Sequence, residues 1–312
     1  MAGTPASRLW VYDIGGSHIT LGLCLLEPLT LLQMAVAPLP DAITGETFLD
    51  MLLNLGEQLT GDRVDQIAGA CLAFPAPFEY GAGVSRMRHK LKNLYGLSLR
   101  QALAQRLHWA PERICFLNDA DAALLGEVGE GKAAAKVVGI MLGTGIGFAF
   151  VQNGSVNSTA QGLPPDNEVW NLPYKDGIVE DLLSSRALEA DYKRRTGKVR
   201  SVAAIDQASA TDEAARDVFV TFGSHLGNVI REILAPLGAD VVVFGGGISR
   251  SSHLFLPAAR QQLNGSSIQL VPSLLLDKAP LLGAARYWRI CAALPSSGDA
   301  GQDPRPLQSA MD

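Results

Sequence analysis

Cysteine and histidine are scarce: 4 Cys and 5 His occur in 312 residues. Cys24, Cys71, Cys115 and Cys291 stand far apart in apolar stretches, no CxxC pair exists, and the histidines do not cluster. That spacing signals neither a disulfide framework nor a zinc site, and reads as reduced core thiols in a cytoplasmic protein. An excess of positive charge is also missing, since 26 Lys+Arg face 31 Asp+Glu for a net charge of −5. A nucleic-acid partner requires a basic face, so none is expected. Arg86, Arg88, Lys90 and Lys92 gather beside one loop, as a solvated face commonly does. There is no long hydrophobic run either. The longest, "ITLGLCLLEPLTLL" from Ile19, is broken by Glu27 and Pro28 and is too short to cross a bilayer. The opening "MAGTPASRLW" lacks the apolar core of a secretion signal. No membrane association is expected.

What is present is a chain that is 47% hydrophobic and long enough for two lobes of ordinary domain size. Its last residues, "PSSGDAGQDPRPLQSAMD", are rich in Pro, Gly, Ser and Asp. Residues 293–312, like 1–7, are expected to be disordered tails. Between them, "LWVYDIGG", "DQIAGACLAF", "RICFLND", "KVVGIMLGTG", "FAFVQNG" and "ADVVVFGGG" read as short buried strands ending in Gly, Asp or Asn. Phe48, Leu52, Leu55 and Leu59 mark one face of a helix. "SLRQALAQRL" and "ATDEAARDVFVTFGSHLGNVIREIL" repeat that pattern. Buried strands alternating with amphipathic helices specify an α/β protein. "VYDIGGSHITLGLCLL" and "GIMLGTGIGFAFVQNG" each run strand, glycine turn, strand, and Asn153-Gly154 closes the second with a hairpin signal. This internal echo fits two related lobes, each presenting a glycine turn to a shared cleft.

Glycine lets backbone N–H groups converge on an anion without a Cβ in the way. Gly15-Gly16-Ser17 and Gly143-Thr144-Gly145-Ile146-Gly147 each follow a strand, and Ser17 and Thr144 would add hydroxyl donors. A third run, Gly245-Gly246-Gly247, precedes the helical "SSHLFLPAARQQL" and suits close approach by a flat ring and ribose. No GxxxxGK[ST] occurs, which excludes a P-loop, and the 143–147 turn leads into a strand where a Rossmann motif requires a helix. Asp13, just before the first turn, either caps that turn or holds a phosphate-bound Mg²⁺, directly or through water. "ICFLNDADAALLGE" ends a buried strand with acids. Asp119 either serves there as a general base or caps the following helix. The cap reading suits Asp121 at least as well, so the base is assigned to Asp119 and Asp121 is left structural.

Asp13-Ile-Gly-Gly-Ser17, Asn118-Asp119-Ala-Asp-Ala-Ala, Gly143-Thr-Gly-Ile-Gly147 and Phe244-Gly-Gly-Gly247, in that order, resemble the signature of the ROK family of sugar kinases and regulators. The closing "APLLGAARYW" resembles that family's C-terminal helix, and the likeness covers residues 9 to 290. The resemblance implies an actin-like ATPase fold of the hexokinase/Hsp70 type, with two RNase-H-like lobes around a central cleft. The expected lobes are residues 8–118 with 278–292, and 119–277. It also implies ATP and Mg²⁺ as cofactors, a hexose as the small-molecule partner and a homodimer.

Carried over by position, Asp119 would be the catalytic base on the sugar hydroxyl and Asn118 would hold a neighbouring hydroxyl. Gly15, Gly16, Ser17, Gly143, Thr144 and Gly145 would hold ATP phosphates, Asp13 the Mg²⁺, and Gly246 and Gly247 would lie near the adenosine. Glu168 and Glu180 match two sugar-binding glutamates, Glu180 five residues ahead of Ser185-Arg186. Asn171 replaces the family's histidine, and "LPYKDGIVE" holds no cysteine, so the resemblance implies no zinc site. Trp170, Leu172 and Tyr174 are expected to stabilise that loop instead. "FPAPFEYGAG" resembles the family's Pro-Gly-Pro sugar loop with Ala76 for the central glycine.

The implied reaction is phosphorylation of a hexose hydroxyl, glucose to glucose 6-phosphate foremost. The alternatives are a sugar-responsive regulator and a catalytically idle sugar- or nucleotide-binding protein. A helix-turn-helix ahead of Asp13 is not expected, and the retained Asn118-Asp119 and glycine turns favour an enzyme.

Overall fold

The computed structural model describes residues 7–40, 42–61, 63–88, 91–129 and 136–293. Apart from Ser7 and Ala293, the segments expected to be disordered lie outside the described residues, as does Lys90 of the basic group. The chain divides into two compact units, residues 1–126 with 277–312, and residues 127–276.

In the first unit β1 (Arg8–Ile14) turns at Gly15-Gly16-Ser17 into β2 (His18–Leu26), and β3 (Leu29–Pro38) completes an antiparallel meander. Leu9, Trp10, Val11 and Tyr12 are all buried, so both faces of β1 are covered and the strand reads as a continuous apolar run. One cover is α1 (Gly45–Thr60), whose N-cap Thr44 accepts a hydrogen bond from the Thr47 amide at 3.2 Å. Its Phe48, Leu52 and Leu55 are buried and Leu59 is partly so, the stripe that their spacing predicts.

Next come β4 (Ile67–Phe74), a small hairpin of β5 (Phe78–Glu79) and β6 (Val84–Ser85), α2 (Leu99–Leu107) and β7 (Ile114–Asn118). β4 runs parallel to β1 and β7 parallel to β4, giving the order β3-β2-β1-β4-β7. The chain leaves β7 directly into α3 (Asp119–Val128).

The second unit repeats the plan. β8 (Lys136–Leu142), β9 (Ile146–Gln152) and β10 (Ser155–Val156) form the meander. Asn153 and Gly154 both take positive φ, 54° and 77°, the backbone of a type I′ hairpin turn. A second hairpin, β11 (Pro173–Tyr174) and β12 (Gly177–Ile178), leads to α4 (Val179–Leu182), α5 (Ser185–Thr196), α6 (Val202–Ala208) and α7 (Glu213–Val229). β13 (Val241–Gly245), α8 (Ser252–Gln262) and β14 (Gln269–Pro272) follow, and the sheet order is β10-β9-β8-β13-β14. Both sheets therefore place first, second and third strands on one side and two parallel strands on the other. The internal echo in the sequence is a repeated topology.

The chain returns to the first unit as α9 (Ala279–Ala293), which packs on β1 and β4. It meets α3 at very short range. A Cβ on Gly283 would sit 1.7 Å from the Ala122 carbonyl oxygen, and one on Gly126 would sit 2.0 Å from that of Ala279. Glycine in "APLLGAARYW" is thus a requirement of backbone approach. Among the described residues, no helix is long and apolar enough to cross a membrane.

Candidate active site

Parallel strands deliver their C-terminal ends to one edge, and ligands of open α/β sheets bind beyond that edge. In the first unit the edge carries Asp13 from β1, the Phe74-Pro75-Ala76-Pro77 segment from β4, and Asn118-Asp119 from β7. Asp13 lies between Thr20 of β2 and Ala73 of β4 in the sheet register. Its carboxyl is pushed up to about 7, first by burial and then by the nearby charges of Asp119 and Asp277.

Asp277 was not among the expected site residues. It stands just before α9, remote in sequence from every glycine motif, and only the return of the chain brings it beside Asp13. No local pattern in "LLLDKAP" marks it. Gly15 closes the first turn by donating its amide to the His18 carbonyl at 3.0 Å, while Gly16 and Ser17 are exposed. The Ser17 hydroxyl oxygen lies 3.3 Å from His18 Nδ1.

The helix cap belongs to neither aspartate that was considered for it. Asn118 Oδ1 accepts from the amides of Ala120 at 3.0 Å and Asp121 at 3.3 Å, and so caps α3. Asp119 Oδ1 accepts from the Ala120 amide at 2.9 Å, which fixes its carboxylate at the start of α3 while the side chain stays partly exposed. Asp121 is buried on the same turn. Asn at the cap leaves the following aspartate to do something else.

In the second unit the corresponding edge carries the Gly143–Gly147 turn after β8 and the Gly245–Gly247 run after β13, which are parallel neighbours. Gly246 has φ 78°, and a Cβ there would sit 2.4 Å from the Leu142 carbonyl oxygen. The two glycine runs therefore lie against each other. Gly143 donates its amide to the Gly145 carbonyl at 3.0 Å, and Thr144 is exposed at the tip.

This turn is held from below. Ser185 donates both its amide, at 2.8 Å, and its hydroxyl, at 2.9 Å, to the Gly143 carbonyl. Glu180 Oε2 accepts from the Ile146 amide at 3.2 Å, and Arg186 pairs with its Oε1 at 2.9 Å. Glu180 thus braces the glycine turn, a role that its likeness to a sugar ligand did not suggest.

The loop before Glu180 carries the other expected contacts. Glu168 is partly buried and accepts a short hydrogen bond from Trp170 Nε1, and the Trp170 carbonyl accepts from the Glu180 amide at 3.0 Å. Asn171 is exposed beside them. Of the residues expected to stabilise this loop, Tyr174 is buried and its hydroxyl lies 3.2 Å from His225 Nδ1. Leu172 packs partly against the core. Trp170 instead remains 39% exposed, so it contributes through its N–H.

Carboxylate oxygens at Asp13 suit a hard cation such as Mg²⁺, and the nearby carboxylates of Asp119 and Asp277 add negative charge there. Among the described residues no three His, Cys, Asp or Glu side chains group closely enough to wrap a metal ion.

Known proteins resemble the chain over most of its length. The profile of the ROK family matches residues 11–290. A glucokinase of Thermotoga maritima is 22% identical, over 90% of this chain and 97% of that protein. An N-acetyl-D-glucosamine kinase of Pectobacterium carotovorum is 25% identical, over 93% of this chain and 94% of that protein. Among solved structures, a ROK family glucokinase of Streptomyces griseus in complex with glucose and AMPPNP superposes with a TM-score of 0.70 at 22% identity, covering 91% of this chain and 99% of that one. The fold is that of the actin-like ATPases. With motifs, topology and profile in agreement over nearly its whole length, the chain belongs to the ROK family.

Proposed function

We propose that the chain transfers the γ-phosphoryl group of ATP to a hydroxyl of a hexose, with the 6-hydroxyl of glucose as the first candidate. The observation that carries this reading is Asp119: a carboxylate fixed at the end of β7, beside Asp13, on the edge where parallel strands end. Support also comes from the relatives, which are kinases of glucose and of N-acetylglucosamine.

The chemistry asked of the chain is mainly positioning and charge compensation. Asp119 accepts the proton of the attacking hydroxyl as its oxygen bonds to the γ-phosphorus. The bond from that phosphorus to the bridging oxygen breaks, ADP leaves with the electron pair, and the proton passes from Asp119 to solvent. Gly143, Thr144 and Gly145 would line the phosphates with backbone N–H and hydroxyl donors, as would Gly15, Gly16 and Ser17. Gly246 and Gly247 would admit the adenosine. When bound through Asp13, Mg²⁺ would neutralise charge on the β- and γ-phosphates. Asn118, Glu168 and Asn171 are the candidate sugar contacts, and Glu180 joins them while bracing the phosphate turn.

The test is a coupled ADP-release assay with glucose, mannose, N-acetylglucosamine and N-acetylmannosamine, each with ATP. A parallel series with polyphosphate follows sugar phosphate directly. ATP-dependent turnover of at least one hexose is expected. Sugar binding by calorimetry without any turnover would replace the kinase by a sugar-responsive binding protein, and turnover with polyphosphate alone would replace the donor.

A further inference from the structure

Tyr80 lies in the "FPAPFEYGAG" segment and is 6% exposed, as is Asn118. Its hydroxyl donates to the Phe74 carbonyl at 3.0 Å, and Asn118 Nδ2 donates to the same hydroxyl oxygen at 3.1 Å. The direction of every bond in this chain is determined. A carbonyl only accepts, so the Tyr80 proton goes to Phe74 and the oxygen must receive from Asn118. Backbone amides only donate, so Asn118 must turn Oδ1 toward Ala120 and Asp121 and its NH₂ toward Tyr80. The primary amide can make four hydrogen bonds, and these three leave one Nδ2 hydrogen aimed by the other three.

Tyr80 is itself anchored to the far end of the same strand. Arg100 donates through Nη2 to the carbonyls of Tyr80 at 3.2 Å and Gly81 at 3.1 Å. Through Nη1 it makes a short bond to the Ile114 carbonyl, where β7 begins. The Phe78 ring lies 5.3 Å from the Tyr80 ring, centroid to centroid, so a phenylalanine at position 80 would keep the packing and lose only the bonds. A ring needed for packing alone would not require a buried hydroxyl.

We propose that Tyr80 is a positioning residue for sugar recognition: its hydroxyl locks the Asn118 amide between the end of β4 and the cap of α3, and so aims the remaining Asn118 N–H at a sugar hydroxyl. This rests on the sugar-kinase reading above. Tyr80 acts through Asn118 and not on the nucleotide, so its loss falls on one substrate only.

The full-length Tyr80→Phe variant tests this with two readouts. In steady-state kinetics, KM for the hexose rises about tenfold, kcat falls less, and KM for ATP is unchanged. In hydrogen–deuterium exchange, the Asp121 amide exchanges faster than in the wild type, because its Asn118 acceptor is no longer held, while Ala120 retains Asp119 Oδ1 as a second acceptor. Equal hexose KM and equal exchange would overturn the proposal. So would a parallel loss in all kinetic constants that tracks a lowered melting temperature, which is the mark of a purely structural residue. A wild-type chain inactive on every hexose overturns the kinase reading instead; faster exchange in the variant would then still uphold the grip of Tyr80 on the amide, and unchanged exchange would overturn it.

Discussion

At the scale of single residues, the carboxylates near Asp13 set the electrostatics and give two predictions. Asp119→Asn keeps an oxygen for the Ala120 amide but removes the proposed proton acceptor, so geometry survives and basicity does not. We expect kcat to fall by about 10²–10⁴-fold, the usual contribution of a positioned base, with binding of a non-hydrolysable ATP analogue retained. Turnover within threefold of wild type, measured by the coupled assay, would remove Asp119 from the mechanism.

Asp13 makes the second case through pH. Its carboxyl ordinarily titrates at 3.8 and is held at about 7 in the fold. Between those values the folded chain keeps a proton that the unfolded chain has lost, so the ligand-free protein loses stability as pH rises through this window. Below it the group has no effect, and above it the loss is complete. Asp13→Asn should therefore melt higher than wild type near neutral pH and above, by a few degrees. At about pH 4 the difference should vanish. A difference that is constant across pH would show that Asp13 does not carry the burden assigned to it. The same variant should lose activity at every pH, because amide oxygen is a poor substitute for carboxylate toward Mg²⁺.

At the scale of elements, the motif "APLLGAARYW" has a mechanical meaning. α3 carries Asp119 on its first turn, and its position depends on how closely α9 can approach. Gly283→Ala would place a Cβ 1.7 Å from the Ala122 carbonyl oxygen, which neither helix can absorb without shifting. A cost of about 1–3 kcal/mol is typical of such overpacking, seen as a lower melting temperature. Because the shift is transmitted along α3, kcat should fall in the folded fraction as well. A variant that melts lower with wild-type kcat would show that α9 stabilises the unit without positioning the base.

Much of this was legible in the sequence, and the reasons are physical. β1, β4, β7, β8 and β13 are buried on both faces, so they appear as apolar runs, and their glycine and aspartate ends mark the edge. β14 has four residues with one buried, too short to show a pattern. Of the candidate site, the strand-end acids and the glycine turns were legible because each is local in the sequence. Asp277, Tyr80 and Arg100 were not, because each matters only through contacts made by residues far along the chain. The cap was assigned to the wrong side chains for a related reason. A carboxylate and an amide oxygen both cap helices, and only coordinates distinguish Asn118 from Asp121.

At the scale of the whole molecule, the two units repeat a sheet order but are cut differently from the chain. The second unit is one continuous segment, 127–276, with its own five-stranded sheet and its own buried cluster built around Phe219, Phe222, Phe244 and Phe255. Its ends are tied to each other: Glu127 accepts from the amides of Leu274 at 3.1 Å and Leu275 at 2.9 Å, and takes a short bond from Ser273 Oγ. The first unit is discontinuous and needs α9. Arg286 Nη1 donates to the Leu125 carbonyl at 2.7 Å, and the Trp288 indole to the Arg113 carbonyl at 3.4 Å. Without α9, one face of β1 and β4 would be bare and these carbonyls would lose their donors. A fragment of residues 127–276 should therefore fold alone, with a cooperative thermal transition and dispersed amide resonances, because a unit with its own core behaves as a domain. A fragment of residues 1–126 should not, and adding residues 277–312 in trans should restore its structure, since they supply the missing cover. If the 127–276 fragment is unstructured while 1–126 folds unaided, the division into one self-sufficient unit and one completed by the returning helix is wrong.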